Sequence, residues 1–301
     1  MLSLLALLLF LLIPAQIVSS FARVDSQNES ELLETGRSTK PQKPSPTPSS
    51  IKIVSYNIRW RGGADLRKLI ELFKTDAEIG QATILGLQEV DRNKKRTGNQ
   101  NTVRQMAEEL GMHYAWAAPP TPPAKDNKPQ EEETGVAILS TYPLTDVRRI
   151  LLPNAGPQGR RRVALGATVQ VGQTNVRVYS VHAETRISNE QRLQQLQAVL
   201  DDLNTHHARL ERVVVLGDFN TLTGKDVDAT NRLFTNAKFT TPFANGLPTW
   251  KTFIIELKLD WLWLRNLRAT NYGIDRKVGL SDHWPLWVKV KLGADAQPSS
   301  R

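Results

Sequence analysis

The chain of 301 residues has an ordinary globular composition, with 40% hydrophobic and 23% charged residues. It contains no cysteine, which excludes a disulfide framework, a thiolate metal site and a cysteine nucleophile. Lys and Arg (39) outnumber Asp and Glu (30), and the resulting net charge of +9 favours a polyanionic partner: nucleic acid, a phosphorylated small molecule or an anionic membrane surface.

Residues 1–22 are predicted to direct export, so that the protein is secreted or periplasmic. Residues 1–18 are almost entirely apolar, and the uninterrupted apolar core at residues 4–13 has the length of a signal-peptide core, which is short for a membrane span. Small residues at Ser19, Ser20 and Ala22 suit cleavage. The alternative is an uncleaved N-terminal anchor, which would also export the remainder.

Residues 23–50 are predicted to form a disordered linker, because they are rich in Ser, Pro and charged residues and show no hydrophobic periodicity. Residues 51–291 have the pattern of one α/β domain, and residues 292–301 are predicted to be a flexible tail. We expect the protein to be a monomer.

Apolar runs and helical periodicity predict the elements of the domain. Three helices are expected, one through Leu66 and Phe73, one over residues 102–110, and one over residues 188–203 that begins with a capping box of Ser188 and Gln191. Eight strands are expected, at residues 51–58, 83–88, 136–140, 162–171, 175–181, 212–216, 257–264 and 287–291.

Six short apolar runs each lead into polar side chains. They are Asn57, Glu89, His182, Asp218 with Asn220, Asp260, and Asp282 with His283. One carboxylate at such a position is commonly a turn former or a helix cap, but six such positions indicate a functional site at the rim of the sheets.

The residue types at these positions narrow the chemistry. Carboxylate and carboxamide oxygens without thiolates suit Mg²⁺ or Mn²⁺ rather than zinc. A hard cation supplies Lewis acidity, while a carboxylate and an imidazole can handle the proton of an attacking water. Together these groups point to the hydrolysis of phosphate esters.

Six motifs, IVSYNIRW, LQEVDR, VHAETR, LGDFNT, LKLDWLWL and SDHWPL, occur in this order. The series resembles the endonuclease/exonuclease/phosphatase superfamily, which includes DNase I-like and exonuclease III-like nucleases, sphingomyelinases, inositol polyphosphate phosphatases and deadenylases. The resemblance covers residues 51–291, and the sequence also resembles the small exported bacterial members of the superfamily. It implies a four-layer α/β/β/α sandwich of two mostly antiparallel mixed sheets and a metal-dependent phosphoric ester hydrolase.

The resemblance also implies which residues hold the metal ion. Glu89 would be the principal ligand. Asn57 and Asp282 would complete the shell directly or through water. The ion would be Mg²⁺, with Mn²⁺ as a possible substitute.

The remaining strand-end residues are implied to act on the phosphate and on the attacking water. His283 would contact the scissile phosphate, and Asp260 would orient its ring. Asp218 would activate the water and Asn220 would position it. His182 corresponds to a second imidazole facing the phosphate. Either Asp218 or His283 serves as the general base, and the resemblance assigns the pair rather than one member.

Two departures from the family pattern leave the substrate open. Trp284 follows the SDH triplet where a polar residue is common, and Ala183 and Glu184 replace the usual aromatic residue after the histidine. Two basic runs, residues 94–96 and 160–162, are either solvated faces or contacts to phosphate.

The sequence supports one leading hypothesis and two alternatives. The first is an exported, Mg²⁺-dependent phosphodiesterase that acts on nucleic acid. The second keeps the chemistry but acts on a phospholipid head group or an inositol phosphate. The third is a catalytically silent module that binds a polyanion, and the complete set of polar residues argues against it.

Overall fold

The structure, a computed structural model, describes residues 31–40, 48–120, 133–210, 212–243 and 246–292. The predicted signal peptide or anchor at residues 1–22 and the predicted tail beyond residue 292 lie outside the described residues. Within the described ranges no helix is both long enough and apolar enough to cross a membrane.

The described residues form four α-helices and fifteen strands. The helices are α1 (Gly63–Thr75), α2 (Thr102–Leu110), α3 (Asn189–His206) and α4 (Gly224–Asn236). The strands are β1 (Leu33–Arg37), β2 (Ser50–Asn57), β3 (Ile84–Lys94), β4 (Gln100–Asn101), β5 (His113–Ala117), β6 (Glu133–Ser140), β7 (Leu144–Leu151), β8 (Val163–Val171), β9 (Thr174–His182), β10 (Arg212–Asp218), β11 (Trp250–Lys251), β12 (Glu256–Leu257), β13 (Asp260–Arg265), β14 (Arg268–Ile274) and β15 (Leu286–Lys291).

The strands build two large mixed sheets and one small hairpin. The first sheet has the order β1-β5-β6-β3-β2-β15-β14, with β4 beside β3, and the second has the order β13-β10-β9-β8-β7. Each large sheet contains one parallel pair, β2–β3 in the first and β9–β10 in the second, and its other pairs are antiparallel. The hairpin pairs β11 with β12.

Three buried apolar layers hold these elements together. Ile53, Ile84, Leu165 and Val214 belong to the layer between the two sheets. A second layer joins α1 and α2 to the outer face of the first sheet, and a third joins α3 and α4 to the outer face of the second. The predicted four-layer α/β/β/α sandwich is therefore confirmed. Gly86 allows the close approach of the sheets, because a Cβ there would lie 2.1 Å from Leu216 Cδ1.

The three predicted helices form, and α3 continues to His206, three residues beyond its predicted end at residue 203. α2 spans Thr102–Leu110, and α3 begins at the predicted capping box, in which Ser188 Oγ accepts from the backbone N–H of Gln191. The predicted strand at residues 257–264 is instead divided between β12 and β13, which lie in different sheets. The sequence reasoning missed α4, whose buried residues include only one large apolar side chain, Phe234.

Two predicted boundaries are wrong. Residues 33–37 of the predicted disordered linker form β1, which pairs antiparallel with β5 at the edge of the first sheet. Leu292, assigned to the flexible tail, is only 5% exposed, and its N–H donates to the carbonyl of Ser49. β1 is held by pairing with a strand distant in the sequence and Leu292 by a backbone hydrogen bond to Ser49, so neither contact is visible in the local sequence.

Glu34 ties β1 to the domain. Its carboxylate accepts hydrogen bonds from Tyr114 Oη (2.6 Å), Arg104 Nη2 (2.8 Å), Asn101 Nδ2 (2.9 Å) and Arg92 Nη1 (3.2 Å). Burial by itself raises the pKa of the Glu34 carboxyl, but the hydrogen bonds from Tyr114, Arg104 and Arg92 outweigh burial and lower the pKa from its ordinary value. The ionised form is therefore stabilised in the folded protein.

We expect Glu34→Gln to lower the free energy of unfolding by about 1–3 kcal/mol at neutral pH, because charge-assisted hydrogen bonds are lost. Since the folded pKa is depressed, the difference from wild type should be full above the unfolded pKa of Glu34. It should disappear as the pH falls through the folded value. Urea denaturation at several pH values measures this difference. The exposed Glu31→Gln is the matched control, and equal stability of wild type and Glu34→Gln at neutral pH would contradict the docking of β1.

Candidate functional site

The parallel strand pairs bring four of the predicted site residues together. Because parallel strands end at the same sheet edge, Asn57 at the end of β2 lies near Glu89 in β3, and His182 at the end of β9 lies beside Asp218 at the end of β10. Asn57 is fully buried, and its Nδ2 donates to Glu89 Oε1 (3.2 Å) and to Asp218 Oδ2 (3.0 Å). This amide links the rims of the two sheets.

Glu89 lies at an irregularity in β3. The register of β3 with β6 shifts between Gln88 and Val90, and Glu89 has φ of 56°, in the left-handed region. A bulge redirects the side chain that would otherwise follow the alternation of the strand. The Glu89 side chain is 21% exposed, so its carboxylate reaches solvent at the edge of the site.

Asp260 and His283 form a buried hydrogen-bonded pair beside Asp218. β13 pairs with β10 so that Asp260 lies opposite Asp218, and Asp260 Oδ2 is 2.8 Å from His283 Nδ1. His283 Nε2 lies 3.8 Å from Asp218 Oδ2. Thr249 Oγ1 donates to Asp260 Oδ2 at 2.7 Å and accepts the Asp260 N–H. Asp260 is thus fixed by Thr249 and in turn fixes the orientation of the His283 ring.

This pair has an unusual charge state. Burial by itself lowers the pKa of the His283 imidazole, but the negative charges of Asp260 and Asp218 outweigh burial and raise the pKa above its ordinary value. Burial raises the pKa of the Asp218 carboxyl, and the positive charge of His283 partly opposes that effect. At neutral pH His283 is therefore a cation hydrogen-bonded to Asp260, and Asp218, whose pKa is raised to about 7, takes up a proton far more readily than an ordinary carboxylate.

His182 is in the opposite state. Burial, followed by the positive charges of Arg162 and His283, lowers the pKa of His182 well below its ordinary value. Arg162 Nη1 lies 3.3 Å from His182 Nδ1, and a guanidinium has no acceptor, so Nδ1 accepts and the ring proton resides on Nε2. Nε2 lies 3.5 Å from Asp218 Oδ2. His182 is thus a neutral donor directed into the site.

Part of the basic run at residues 160–162 borders the site. Glu184 is fully buried and accepts hydrogen bonds from Arg160 Nε (2.8 Å) and Arg162 Nε (3.2 Å). The carboxylate that replaces the usual aromatic residue therefore anchors the arginine that contacts His182. Arg161 instead donates to the carbonyl of Leu152.

The other two predicted residues, Asn220 and Asp282, contact the cluster or residues next to it. The N–H of Asn220 donates to Asp218 Oδ1 (3.0 Å), and its Nδ2 donates to the carbonyl of Ala183 (3.0 Å). Asp282 Oδ2 accepts from Trp250 Nε1 (3.0 Å) and lies 3.1 Å from Arg59 Nη1. Among the described residues no hydrogen bond joins Asp282 to Glu89 or Asn57.

The structure adds four residues to the site: Arg59, Arg162, Thr249 and Trp250. Thr249 precedes β11 and lies in none of the sequence motifs, and Trp250 begins β11. Arg59 lies in the motif IVSYNIRW and Arg162 in the basic run at residues 160–162, but nothing in the local sequence indicates their partners.

Two groups of side chains could hold a cation. Asp218, Asp260 and His283 place one ligand atom each within 4.8 Å of one another. In this group Asp260 Oδ2 already accepts from Thr249 and His283, and the imidazolium repels a metal ion. Glu89, Asn57 and Asp282 offer oxygen donors, which suit a hard cation, and Glu89 is partly open to solvent, while Asp282 Oδ2 already pairs with Arg59 at 3.1 Å.

The two histidines should give different signals in ¹H–¹⁵N NMR. At neutral pH we expect protons on both nitrogens of His283 but only on Nε2 of His182, since Arg162 occupies its Nδ1. Asp260→Asn should lower the pKa of His283, whereas Arg162→Met should give a mixture of His182 tautomers. A doubly protonated His182 in the wild type would contradict this assignment.

Comparisons with solved structures place the fold. The endonuclease/exonuclease/phosphatase from Beutenbergia cavernae DSM 12333 aligns with a TM-score of 0.65 at 18% identity, over 82% of this chain and 72% of that chain. Humanized D. rerio TDP2 aligns with a TM-score of 0.61 at 18% identity, over 81% of this chain and 100% of that chain. ANGEL2, a 2′,3′-cyclic phosphatase, gives a TM-score of 0.59 at 15% identity, over 81% of this chain and 95% of that chain.

At these identities the likeness shows the fold alone. No curated protein matches the sequence. The sequence profile of the Endonuclease/Exonuclease/phosphatase family matches residues 54–283, which is most of the chain, and the protein therefore belongs to this family of hydrolytic phosphoesterases.

Proposed function

We propose that the protein is an exported, Mg²⁺-dependent phosphodiesterase in which Asp218 and His283 form the acid–base pair. The observation that carries the proposal is the buried cluster in which Asp218 Oδ2 lies within 3.8 Å of His283 Nε2 and 3.5 Å of His182 Nε2. A binding module has no use for a carboxylate and an imidazolium held in this state, whereas a hydrolase needs both.

In the proposed reaction these residues divide the work. Asp260 holds the His283 ring and keeps it protonated, so His283 donates a hydrogen bond to a phosphate oxygen. Asp218 is then the member of the pair able to accept the proton of the attacking water. Asn220 positions that water, and neutral His182 donates a second hydrogen bond from Nε2 to the phosphate.

Glu89, Asn57 and Asp282 are the residues that would hold the metal ion. Mg²⁺, or Mn²⁺ in its place, would supply Lewis acidity at the phosphate and stabilise the leaving oxygen. The oxygen-only donor set supports this assignment. Asp282 Oδ2 pairs with Arg59 at 3.1 Å, so a metal ion bound here would share this carboxylate with the guanidinium or displace it.

Export and oligomeric state are proposed from the sequence. The apolar segment within residues 1–22 supports a secreted or periplasmic protein, or one retained at a membrane through an uncleaved segment. We propose a monomer, because the site is assembled from one chain.

Nucleic acid is the first substrate proposed. The net charge of +9 supports a polyanion, and Arg59 and Arg162 each contact a residue of the site. Trp60 is 37% exposed, and the centre of its ring lies 5.4 Å from the Arg59 guanidinium and 4.2 Å from the Arg96 guanidinium. A phospholipid head group is the second candidate, favoured by the exposed apolar hairpin described below, and an inositol phosphate belongs to the same class.

Activity should require a divalent cation and be lost in excess EDTA. Glu89→Gln should raise the Mg²⁺ concentration needed for half-maximal activity, because the ligand loses its charge. Glu109→Gln, at an exposed carboxylate on α2, is the matched control and should leave this concentration unchanged. Full activity of the wild type in excess EDTA would contradict the metal assignment.

The substrate is tested by assaying the protein with Mg²⁺ on plasmid DNA, RNA, sphingomyelin and inositol phosphates. If nucleic acid is the substrate, affinity should fall by about 10³-fold or more between 50 and 200 mM salt for six or more phosphate contacts, because counterions are released on binding. Hydrolysis of a small phosphate ester together with a flat salt response would instead identify a small-molecule substrate.

A further inference from the structure

The hairpin of β11 and β12 exposes a cluster of apolar side chains. Phe253 is fully exposed to solvent, Ile254 is 84% exposed and Ile255 is 49% exposed. Six large hydrophobic side chains are exposed among the described residues, and four of them lie within residues 247–255, the fourth being Leu247. Scattered exposed apolar residues need no explanation, but a contiguous cluster marks an interaction surface.

The tip of this hairpin is an ordered turn. The N–H of Thr252 donates to the carbonyl of Ile255 (2.8 Å), and the N–H groups of Ile254 and Ile255 lie 3.4 and 3.2 Å from Thr252 Oγ1. Three backbone N–H groups of the turn therefore have acceptors within the turn itself. Its apolar side chains are therefore presented outward by a defined structure.

The base of the hairpin is part of the candidate site. Thr249 Oγ1 donates to Asp260, and Trp250 Nε1 donates to Asp282. Trp250 also forms a β-bridge with His283, and the N–H of Lys251 donates to the carbonyl of Asp282. A surface that binds the tip would therefore lie close to the candidate site, because the tip is only a few residues along the chain from Thr249 and Trp250.

Cationic side chains lie beside the base of the hairpin. The Lys251 ammonium is 5.1 Å from the centre of the Trp284 ring, and the Arg276 guanidinium is 4.9 Å from it. Arg276 Nη2 donates to the carbonyl of Pro248 (3.3 Å). An apolar tip next to cationic groups is the arrangement that binds an anionic lipid interface, where the tip enters the acyl boundary and the cations meet the head groups.

We propose that the hairpin tip, residues 252–255, inserts into an anionic phospholipid surface and docks the candidate site against it. Lipid is favoured over nucleic acid because two of the three apolar side chains are isoleucines, which have no π-face on which a base could stack. The docking does not depend on the proposed phosphodiesterase activity. When the tip is docked, the phosphate esters nearest to the candidate site are those of the phospholipid head groups.

A single labelled cysteine tests the insertion, since the chain has no cysteine of its own. The full chain carrying Ile254→Cys is labelled with a dye whose emission shifts to the blue in an apolar medium. Lys68→Cys on α1, at a side chain 68% exposed, is the control. With vesicles of phosphatidylcholine and phosphatidylglycerol, we expect a blue shift at residue 254 and none at residue 68, with a smaller shift for phosphatidylcholine alone.

Paired variants test the apolar character of the tip. Phe253→Ser with Ile254→Ser should weaken vesicle binding by about tenfold or more, since two apolar side chains no longer leave water. Phe253→Leu with Ile254→Leu should retain binding. Both comparisons are made in the full chain, so any contribution of the N-terminal segment is the same for each variant.

Three results would overturn the proposal. The first is the absence of a blue shift at residue 254 with vesicles. The second is a shift with duplex DNA but not with vesicles, which would make the tip a nucleic-acid contact. The third is equal vesicle binding by the serine and leucine variants. Vesicle binding is measured without any hydrolysis assay, so failure here leaves the proposed chemistry standing, and inactivity on every ester leaves the docking standing.

Discussion

The site depends on a buried carboxylate, Asp218, at the point where the two sheets meet. Its strand pairs in parallel with β9 and antiparallel with β13, which places His182 on one side and Asp260 on the other. Asn57 reaches it from the first sheet through a hydrogen bond of 3.0 Å. A change in the register of any of these strands would move the side chains of His182 and Asp260 away from Asp218, and acid–base chemistry requires such groups to lie close together.

Burying these charged groups costs desolvation free energy, which hydrogen bonds and opposite charges from neighbouring residues offset. A buried carboxylate is tolerated when it is paired and hydrogen-bonded. Asp260 has Thr249 and His283, and the fully buried Glu184 has Arg160 and Arg162. Burial, together with the positive charge of Arg162, leaves His182 neutral, so one imidazole of the site is a cation and the other is not. Two histidines of the same type thus acquire different chemistry from their partners.

Much of this arrangement follows from local sequence. The apolar runs predict the central strands, and the polar residues at the ends of the parallel strands predict part of the cluster, because the ends of parallel strands share one edge. Asp260 begins β13 and joins the cluster through antiparallel pairing with β10. Ser188 and Gln191 predict the start of α3 because a capping box is a local interaction. The family motifs then assign roles to these residues that spacing alone does not.

The remaining features depend on contacts between distant segments. β1 is held by β5 and by the partners of Glu34, 58 to 80 residues away in the chain, so its own sequence resembles a linker. The contact of Arg162 with His182 and that of Trp250 with Asp282 likewise appear only in the fold. The residues Phe253, Ile254 and Ile255 resemble an ordinary apolar run, and only the structure shows them exposed at the tip of a hairpin.

The central claim is that Asp218, Asp260 and His283 act as one unit on the attacking water and the phosphate. Single-turnover rates and equilibrium substrate binding for Asp218→Asn, Asp260→Asn and the double variant test it most directly. The account predicts that each single change lowers the rate by about 10²–10⁴-fold while binding is kept. The double variant should lose far less than the product of the two effects, since residues in one unit are not additive. Parallel loss of binding and rate, or unchanged rates in both single variants, would contradict the account.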